Sequence, residues 1–255
     1  MQVYNLKKGG QVTYIPNYVN DIGVSLLWNE LKTVEIFKQP ILFEKKNGEF
    51  EEVEATFAKS KCGLLYKQIL TDYYGDGKII PYPRFTTSMF DSYVNSNSYF
   101  NSDTSDISLK NWTPCVKKLK EEIENQFGDK ISYAILHEYR STCDSISYHS
   151  DKEMNPRDKI YSISLGISRR FGFRQKFNDD KTLKTSGPPE LELLLENGCL
   201  AIFDYEAGMK NYKHSIFKGL KRDGHSCMND PYSSCKGGFD WCGCSRINIT
   251  FRTFY

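Results

Sequence analysis

The sequence has no long hydrophobic run, which argues against a helix that spans a bilayer. Its longest apolar stretches, such as "YAIL" and "LELLL", are far shorter than the roughly 20 residues that a span requires. The N-terminus "MQVYNLKKGGQVTY" also lacks the continuous apolar core of a secretory signal. We therefore expect an intracellular protein without a membrane partner, nuclear or cytoplasmic, whose eight cysteines are thiols or metal ligands rather than disulfides.

The sequence also has no excess of charge of one sign. Its 34 basic and 32 acidic side chains give a net charge of +2, which neither demands nor excludes a nucleic-acid partner. Basic stretches at 168–176 and 218–222 could contact phosphates, although such stretches are more often solvated surface. Internal repeats are absent as well, and 255 residues with 39% hydrophobic content favour one domain with a sizeable core.

Two helices are predicted from apolar spacing and from capping residues. The first covers 20–34, with an apolar face formed by Ile22, Leu26, Leu27, Leu31 and Val34. The second begins at "NWTP", where Thr113 suits the cap and Pro114 the first turn, and it ends at Gly128. Its buried stripe is predicted to contain Val116, Leu119, Ile123 and Phe127.

Short strands dominate the rest of the chain. The Asn47-Gly48 pair between two alternating segments predicts a tight hairpin. After the second helix the chain is a series of β-branched and aromatic segments separated by turn residues, without helical crossovers. The sequence thus predicts a mainly β fold with flanking helices (α+β), a sandwich or jelly roll with a helical support. The polar, aromatic-dotted segment 91–106 is predicted to be a surface loop or lid.

Three side chains have the types and order of an open metal site. His149 and Asp151 lie two residues apart in a strand-like context, and His214 follows far along the chain. Two histidines and one carboxylate leave three positions of an iron ion open, as in non-heme iron(II) oxygenases. A His-x-Asp pair alone is weak evidence, because such pairs often serve as surface hydrogen-bonding groups.

The segment "RINITFR" near the end of the chain alternates polar and apolar residues. Arg246, Asn248, Thr250 and Arg252 therefore share one face of a strand. One interpretation is an edge strand with its polar face in water. The other is that both arginines, about 20 Å apart along the strand, reach inward to one dicarboxylate such as 2-oxoglutarate, because arginine binds carboxylates with a two-pronged donor set.

These motifs together resemble a known family. "YHSDKE", "NYKHSI", "RINITFR" and the upstream "PYPRFTT" are similar to the AlkB family of iron(II)- and 2-oxoglutarate-dependent dioxygenases, most of all to its nucleic-acid-repairing branch, over about Ile15 to Tyr255. The resemblance implies a double-stranded β-helix (jelly roll, cupin-like) with an N-terminal helical and hairpin extension for nucleotide recognition. Residues 1–130 would form that extension and the support helices, and 131–255 the catalytic core, together as one structural domain.

The resemblance also implies roles for individual residues. The iron would be held by His149, Asp151 and His214. The co-substrate would be bound by Arg246 at its distal carboxylate, by Arg252 at its proximal end, and by Asn248, Tyr139 and His137. The damaged base would be contacted by Glu153, Arg84, Phe90, Tyr93 and Tyr99.

The implied reaction is oxidative demethylation of 1-methyladenine- or 3-methylcytosine-type bases in DNA, RNA or both, by a protein that we expect to be monomeric. Iron(II) would be the metal cofactor, and 2-oxoglutarate and O₂ would be consumed, with release of formaldehyde, succinate and CO₂. Two alternatives stay open. The same chemistry could act on a protein or small molecule, or the chain could be a nucleic-acid-binding module that has lost catalysis.

Two features depart from the family pattern. His137 stands where the family usually has an asparagine, so it either hydrogen-bonds the co-substrate or is a satisfied core histidine. An insertion at about 218–244 carries a cluster of thiols and an imidazole that could bind a structural zinc ion: His225, Cys227, Cys235, Cys242 and Cys244. The insertion has no C-x-x-C pair, and a loop with free thiols or a labile disulfide is the alternative.

Overall fold

The computed structural model describes residues 1–33, 41–45, 50–53, 77–80, 85–90, 109–139, 144–152, 154–178, 180–184, 186–218 and 245–253. Within these residues the α-helices are α1 (Asp21–Thr33) and α2 (Pro114–Phe127), and a π-helix covers Glu206–Lys210. The strands are β1 (Gln2–Asn5), β2 (Gln11–Ile15), β3 (Ile41–Lys45), β4 (Phe50–Val53), β5 (Gly77–Ile80), β6 (Phe85–Phe90), β7 (Leu109–Lys110), β8 (Tyr133–Tyr139), β9 (Ile146–His149), β10 (Lys159–Gly166), β11 (Arg169–Gln175), β12 (Leu191–Leu195), β13 (Leu200–Asp204), β14 (Tyr212–Ile216) and β15 (Arg246–Arg252).

Two sheets form the body of the molecule. The larger has the order β1-β2-β13-β10-β15-β8-β6-β7, and the smaller has the order β12-β11-β14-β9. All neighbours pair antiparallel except β6 and β7. A third sheet, β4-β3-β5, pairs the two strands of the predicted hairpin, with Glu44 opposite Phe50, while the predicted turn at Asn47 and Gly48 lies outside the described residues. The predicted mainly β fold with flanking helices is confirmed.

The larger sheet is buried on both faces. Its outer face packs against α1 and α2 through a cluster that includes Leu27, Leu31, Val116, Ile247 and Ile249. Its inner face packs against the smaller sheet through a second cluster, which includes Phe171, Phe173, Leu195, Phe203 and Ile216. Strands buried on both faces must place apolar or internally paired side chains on each of them. The inner face is where the polar row of β15 lies.

Helix α1 differs from the prediction in the residues that it buries. Leu27 and Leu31 are buried as expected, but Ile22 is 74% and Leu26 57% exposed. A helix turns about 100° per residue, so Leu26 lies on a different side from Leu27, and Val24 takes its place in the core. The predicted apolar face was too wide, and its last member, Val34, lies outside the described residues.

Helix α2 agrees with the prediction except at its cap and at Phe127, which is only half-buried. Val116, Leu119 and Ile123 are buried, and Gly128 ends the helix in the left-handed conformation with φ 77°. Thr113 occupies the cap position, but its side chain makes no capping hydrogen bond. Instead, the carboxylate of Glu30 in α1 accepts the backbone N–H of Cys115 at 2.9 and 3.1 Å. The cap therefore comes from a neighbouring helix, which local sequence cannot reveal. None of the helices in the described part is long and apolar enough to cross a membrane.

Candidate active site

Strand β15 is a central strand of the larger sheet. It pairs with β10 on one side and with β8 on the other, and all seven of its residues are buried. The edge-strand interpretation of "RINITFR" is therefore wrong. Ile247, Ile249 and Phe251 face the helices, so the alternation of a strand turns the two arginines into the space between the sheets. Burying two guanidinium groups is costly unless they meet opposite charge or hydrogen-bond acceptors.

The smaller sheet brings both metal-site histidines together. His149 is the last residue of β9, and it lies opposite His214 of β14 in the strand pairing. Asp151 follows two residues later, and one potential ligand atom from each of the three side chains lies within 4.8 Å of the others. The Nε2 atom of His214 is 3.2 Å and that of His149 is 3.8 Å from the Asp151 carboxylate. Two imidazoles and a carboxylate at this spacing could hold a divalent transition metal with open positions.

The two histidines are oriented in different ways. The Nδ1 atom of His149 lies 2.9 Å from the carbonyl oxygen of Ser147, a contact that places the proton on Nδ1 and leaves Nε2 for a metal. The Nδ1 atom of His214 has no hydrogen-bond partner in the described part of the chain. Its ring is instead surrounded by three aromatic rings at centroid distances of 5.2 to 5.9 Å, those of Phe171, Phe173 and Phe203. Aromatic packing on the Nδ1 side and the contact of Nε2 with Asp151 together set its orientation.

Asp151 connects the metal cluster to β15. Arg252 donates a hydrogen bond from Nη2 to Oδ1 of Asp151 at 3.1 Å, and both side chains are buried. Burial alone would raise the pKa of Asp151, but Arg252, His214 and His149 outweigh it and hold that pKa well below its ordinary value. Burial alone would lower the pKa of Arg252, and the Asp151 carboxylate reverses that effect. Asp151 is therefore an anion, as a metal ligand must be.

Arg246 is a buried cation without a carboxylate partner among the described residues. Its Nη2 donates to the Ser164 hydroxyl at 2.9 Å, but its Nε and Nη1 make no hydrogen bond with a described group. Its guanidinium carbon lies 5.1 Å from the centre of the Tyr139 ring. Burial lowers the pKa of Arg246, although Tyr139 and Cys199 partly compensate. A buried guanidinium with two unused donors fits the carboxylate end of a dicarboxylate ligand.

Asn248 and Thr250 form a rigid polar strip between the two arginines. The Asn248 amide nitrogen donates to the Ser162 hydroxyl at 2.8 Å and to the Ile163 carbonyl oxygen at 2.7 Å. The Thr250 hydroxyl donates to the Asn248 amide oxygen at 3.2 Å. These bonds fix Asn248 to β10, so it shapes the cavity wall as part of the sheet.

One cavity joins these groups. It contains about 390 Å³ of empty space, including its open mouth. Seven of the eight residues predicted to bind metal or co-substrate line it: His137, Tyr139, His149, Asp151, His214, Asn248 and Arg252. Arg246 is the exception and lies against Tyr139. His137 is opposite Asn248 in the strand pairing and half-buried, and its two interpretations, as a co-substrate ligand or as a satisfied core histidine, stay predictions.

Sequence reasoning missed the apolar part of the lining, which consists of Ile146, Phe171, Leu195, Phe203 and Ile216. The alternation in "RRFGFR" already places Phe171 and Phe173 on one face of β11, and that was the available signal. Nothing local indicates that Phe203, from a different sheet, joins them.

Several predicted residues lie outside the described part. These are Arg84, Tyr93, Tyr99 and Glu153 for the substrate, and His225, Cys227, Cys235, Cys242 and Cys244 for zinc. Phe90 ends β6, but only its backbone is described. Their roles stay predictions.

Comparisons with known proteins agree with this geometry. A family model described as "2OG-Fe(II) oxygenase superfamily" matches residues 52–252. The chain is 27% identical over 146 residues to the human "Alpha-ketoglutarate-dependent dioxygenase alkB homolog 3", which covers 56% of this chain and 44% of that protein. It is 30% identical over 112 residues to the human "DNA oxidative demethylase ALKBH2", which covers 43% of this chain and 42% of that protein. The matches thus span less than half of each of these relatives.

A solved structure supports the fold. "The structure of OsALKBH1" superimposes with a TM-score of 0.50 at 13% identity, covering 99% of this chain and 100% of that one. At this identity the likeness concerns the fold alone. Family model, fold and clustered side chains lead to one conclusion: the chain is an AlkB-like member of the 2OG-Fe(II) oxygenase superfamily.

Proposed function

We propose that this protein is an oxidative demethylase that removes N-methyl groups from 1-methyladenine- and 3-methylcytosine-type bases in DNA or RNA. One observation carries the proposal: a single cavity places the cluster His149, Asp151 and His214 beside Arg252, and the buried cation of Arg246 lies against Tyr139, which lines the same cavity. When bound, iron(II) with 2-oxoglutarate and O₂ supplies the oxidant, and formaldehyde, succinate and CO₂ are released.

In this proposal the three clustered side chains hold the iron. His149 offers Nε2, because its Nδ1 is engaged with Ser147. Asp151 contributes a carboxylate that Arg252 fixes through Oδ1. His214 is held by its aromatic surroundings. Three protein ligands would leave the iron open to the co-substrate, as non-heme iron(II) oxygenase chemistry requires.

Arg246 and Tyr139 bind the far carboxylate of 2-oxoglutarate. The two free donors of Arg246 are enclosed by protein, so an anion there is shielded from water and strongly attracted. Arg252, next to the metal cluster, contacts the near end of the co-substrate as well as Asp151. The two arginines thereby fix the direction in which the co-substrate lies.

The nucleic-acid substrate is supported by the relatives rather than by contacts. One of them is named a DNA oxidative demethylase. A methyl group on the Watson–Crick edge weakens pairing, which lowers the cost of flipping the base into a pocket. We propose that Glu153, Arg84, Phe90, Tyr93 and Tyr99 contact this base, since a ring stacked on it contributes about 1–3 kcal/mol. We also propose that the protein is a monomer. Its residues 1–130 would form the support and recognition part, and residues 131–255 the catalytic core.

The test is a product assay. The protein is incubated with iron(II), 2-oxoglutarate and oligonucleotides that contain 1-methyladenine or 3-methylcytosine, as DNA and as RNA. Mass spectrometry follows loss of the methyl group, and formaldehyde and succinate are quantified. We expect equal amounts of formaldehyde and repaired base, and none from the unmethylated oligonucleotide.

Two results would contradict the proposal. Succinate formed only with a peptide or a small molecule would indicate the same chemistry on another substrate. Tight binding of the methylated oligonucleotide without any product would indicate a binding module.

A further inference from the structure

The π-helix Glu206–Lys210 lies directly against the turn that carries Asp151. The carbonyl oxygen of Gly208, in the middle of this π-helix, accepts the backbone N–H of Asp151 at 3.2 Å. Met154, three residues after Asp151, donates its own N–H to the Asp151 carbonyl oxygen at 3.1 Å and thereby closes the turn. The backbone of a residue in the candidate metal cluster is therefore held by the π-helix. Such helices are rare and frequently occur at functional sites.

The π-helix can approach the Asp151 turn closely because Gly208 has no side chain. A Cβ atom at this position would lie 2.6 Å from the sulfur of Met154 and 3.2 Å from Cδ2 of Phe203. Met154 is hydrogen-bonded to Asp151 through its backbone, and Phe203 contacts the ring of His214 at a centroid distance of 5.2 Å. Because Gly208 has no side chain, Met154 and Phe203 can both pack closely against it. These two residues are neighbours of Asp151 and His214 in the metal cluster.

The π-helix cannot retreat from Met154. On its other side, a Cβ atom on Gly10 would come within 2.7 Å of the backbone nitrogen of Ala207, so the turn between β1 and β2 already touches it. Asp204 fixes its start by accepting the Ala207 N–H at 3.0 Å. Asn211 fixes its end by donating to the Lys8 carbonyl oxygen at 2.8 Å. A methyl group added at Gly208 must therefore push back the Met154 side chain, and Met154 is hydrogen-bonded to Asp151 through its backbone.

We infer that Gly208 is a positioning residue, whose backbone and missing side chain hold Asp151 where it can bind the metal. The inference rests on the proposed function, because it assumes that His149, Asp151 and His214 bind a divalent metal. In this inference the π-helix positions the backbone of Asp151, and Arg252 holds its carboxylate through a hydrogen bond.

The test measures Mn(II) affinity by calorimetry in the absence of 2-oxoglutarate and substrate, so that it does not depend on turnover. We expect Gly208→Ala to weaken Mn(II) binding about 10-fold and Gly208→Val to weaken it further, in line with other supports of metal ligands. If Gly208→Val does not fold, the alanine variant still decides. In a Met154→Ala background, which removes the obstructing sulfur, Gly208→Ala should cost less than 3-fold.

Gly128→Ala is the matched control. It forces alanine into the left-handed conformation at the end of α2, with no atom within 4 Å of the added methyl group, and should lower stability without changing Mn(II) affinity. Equal Mn(II) affinity of Gly208→Ala and the unaltered protein would overturn the inference. So would an unchanged penalty in the Met154→Ala background. Failure of the unaltered protein to bind Mn(II) would instead count against the proposed function.

Discussion

The two walls of the cavity use opposite physical means to hold their functional side chains. The wall formed by β8, β10 and β15 is polar, and its arginines are fixed by hydrogen bonds to Ser164 and Asp151. The wall formed by β11, β12 and β14 is apolar apart from His214, which is held by phenylalanine rings. The first wall therefore contains buried positive charge that can bind an anion. The second wall holds its histidine by the fit of apolar side chains around the ring.

The two walls contribute to binding in different ways. A buried charge binds an oppositely charged ligand strongly but carries a desolvation cost when the ligand is absent. An apolar cage has no such cost, and it keeps a neutral imidazole in one orientation and water away from it. Metal ligation requires neutral histidines and an ionised carboxylate. Asp151 stands at the junction, bound to Arg252 from one wall and to His214 from the other.

The largest effect is expected where the walls meet. Asp151→Ala should abolish demethylation and lower the free energy of unfolding by about 3–5 kcal/mol, because Arg252 loses its buried partner. His149→Ala should abolish demethylation with little change in stability, since the His149 side chain is 33% exposed. Formaldehyde release and urea denaturation check the pair. Turnover retained by either variant would remove the metal assignment.

Substitutions of the two arginines of the polar wall should have different effects on Mn(II) affinity. Arg246→Met should raise the requirement for 2-oxoglutarate about 10- to 100-fold, because charge-assisted hydrogen bonds of about 1.5–3 kcal/mol are lost. It should leave Mn(II) affinity and stability unharmed, since it removes a buried charge with unused donors. Arg252→Met should raise the 2-oxoglutarate requirement and also weaken Mn(II) binding, because Asp151 is released. Identical behaviour of the two variants would refute the distinction.

The apolar wall is tested by a smaller change. Phe171→Leu in β11 should cost about 0.5–3 kcal/mol of stability, and we expect Mn(II) affinity to fall several-fold as the His214 ring loosens. The 2-oxoglutarate requirement at saturating metal should stay constant. Phe127→Leu at the end of α2, which packs against the helix-side core, is the control that should leave Mn(II) affinity unchanged. A 2-oxoglutarate defect in Phe171→Leu would show that the walls are not independent.

The smallest effect is expected at His137. It lines the cavity opposite Asn248 and is half-buried, and asparagine, the usual residue of the family at this position, can also donate a hydrogen bond. His137→Asn should change the 2-oxoglutarate requirement by less than about 3-fold. A larger rise, measured by succinate release, would give His137 a specific role that an amide cannot replace.

Periodicity predicted the polar wall well and the helices less well. In β15, a period of two assigns each side chain to a face whatever the neighbours are, and all four polar residues proved to be buried. In α1, propensity and apolar content were correct, but Leu26 and Ile22 point to solvent because only one stripe meets the sheet. At α2, the cap comes from Glu30, which is 85 residues away from Cys115. Local rules fail where the partner is distant in the chain.

Residue types and spacing alone identify the metal cluster and the strand whose alternation turns two arginines to one side. The folded structure was needed to show that β15 is central, that Arg252 binds Asp151 and that rings from two sheets enclose His214. Side-chain direction within a strand follows from local backbone geometry, so it can be read from the chain. Burial, pKa and the choice of partner depend on which elements pack together, and that is settled by the whole chain.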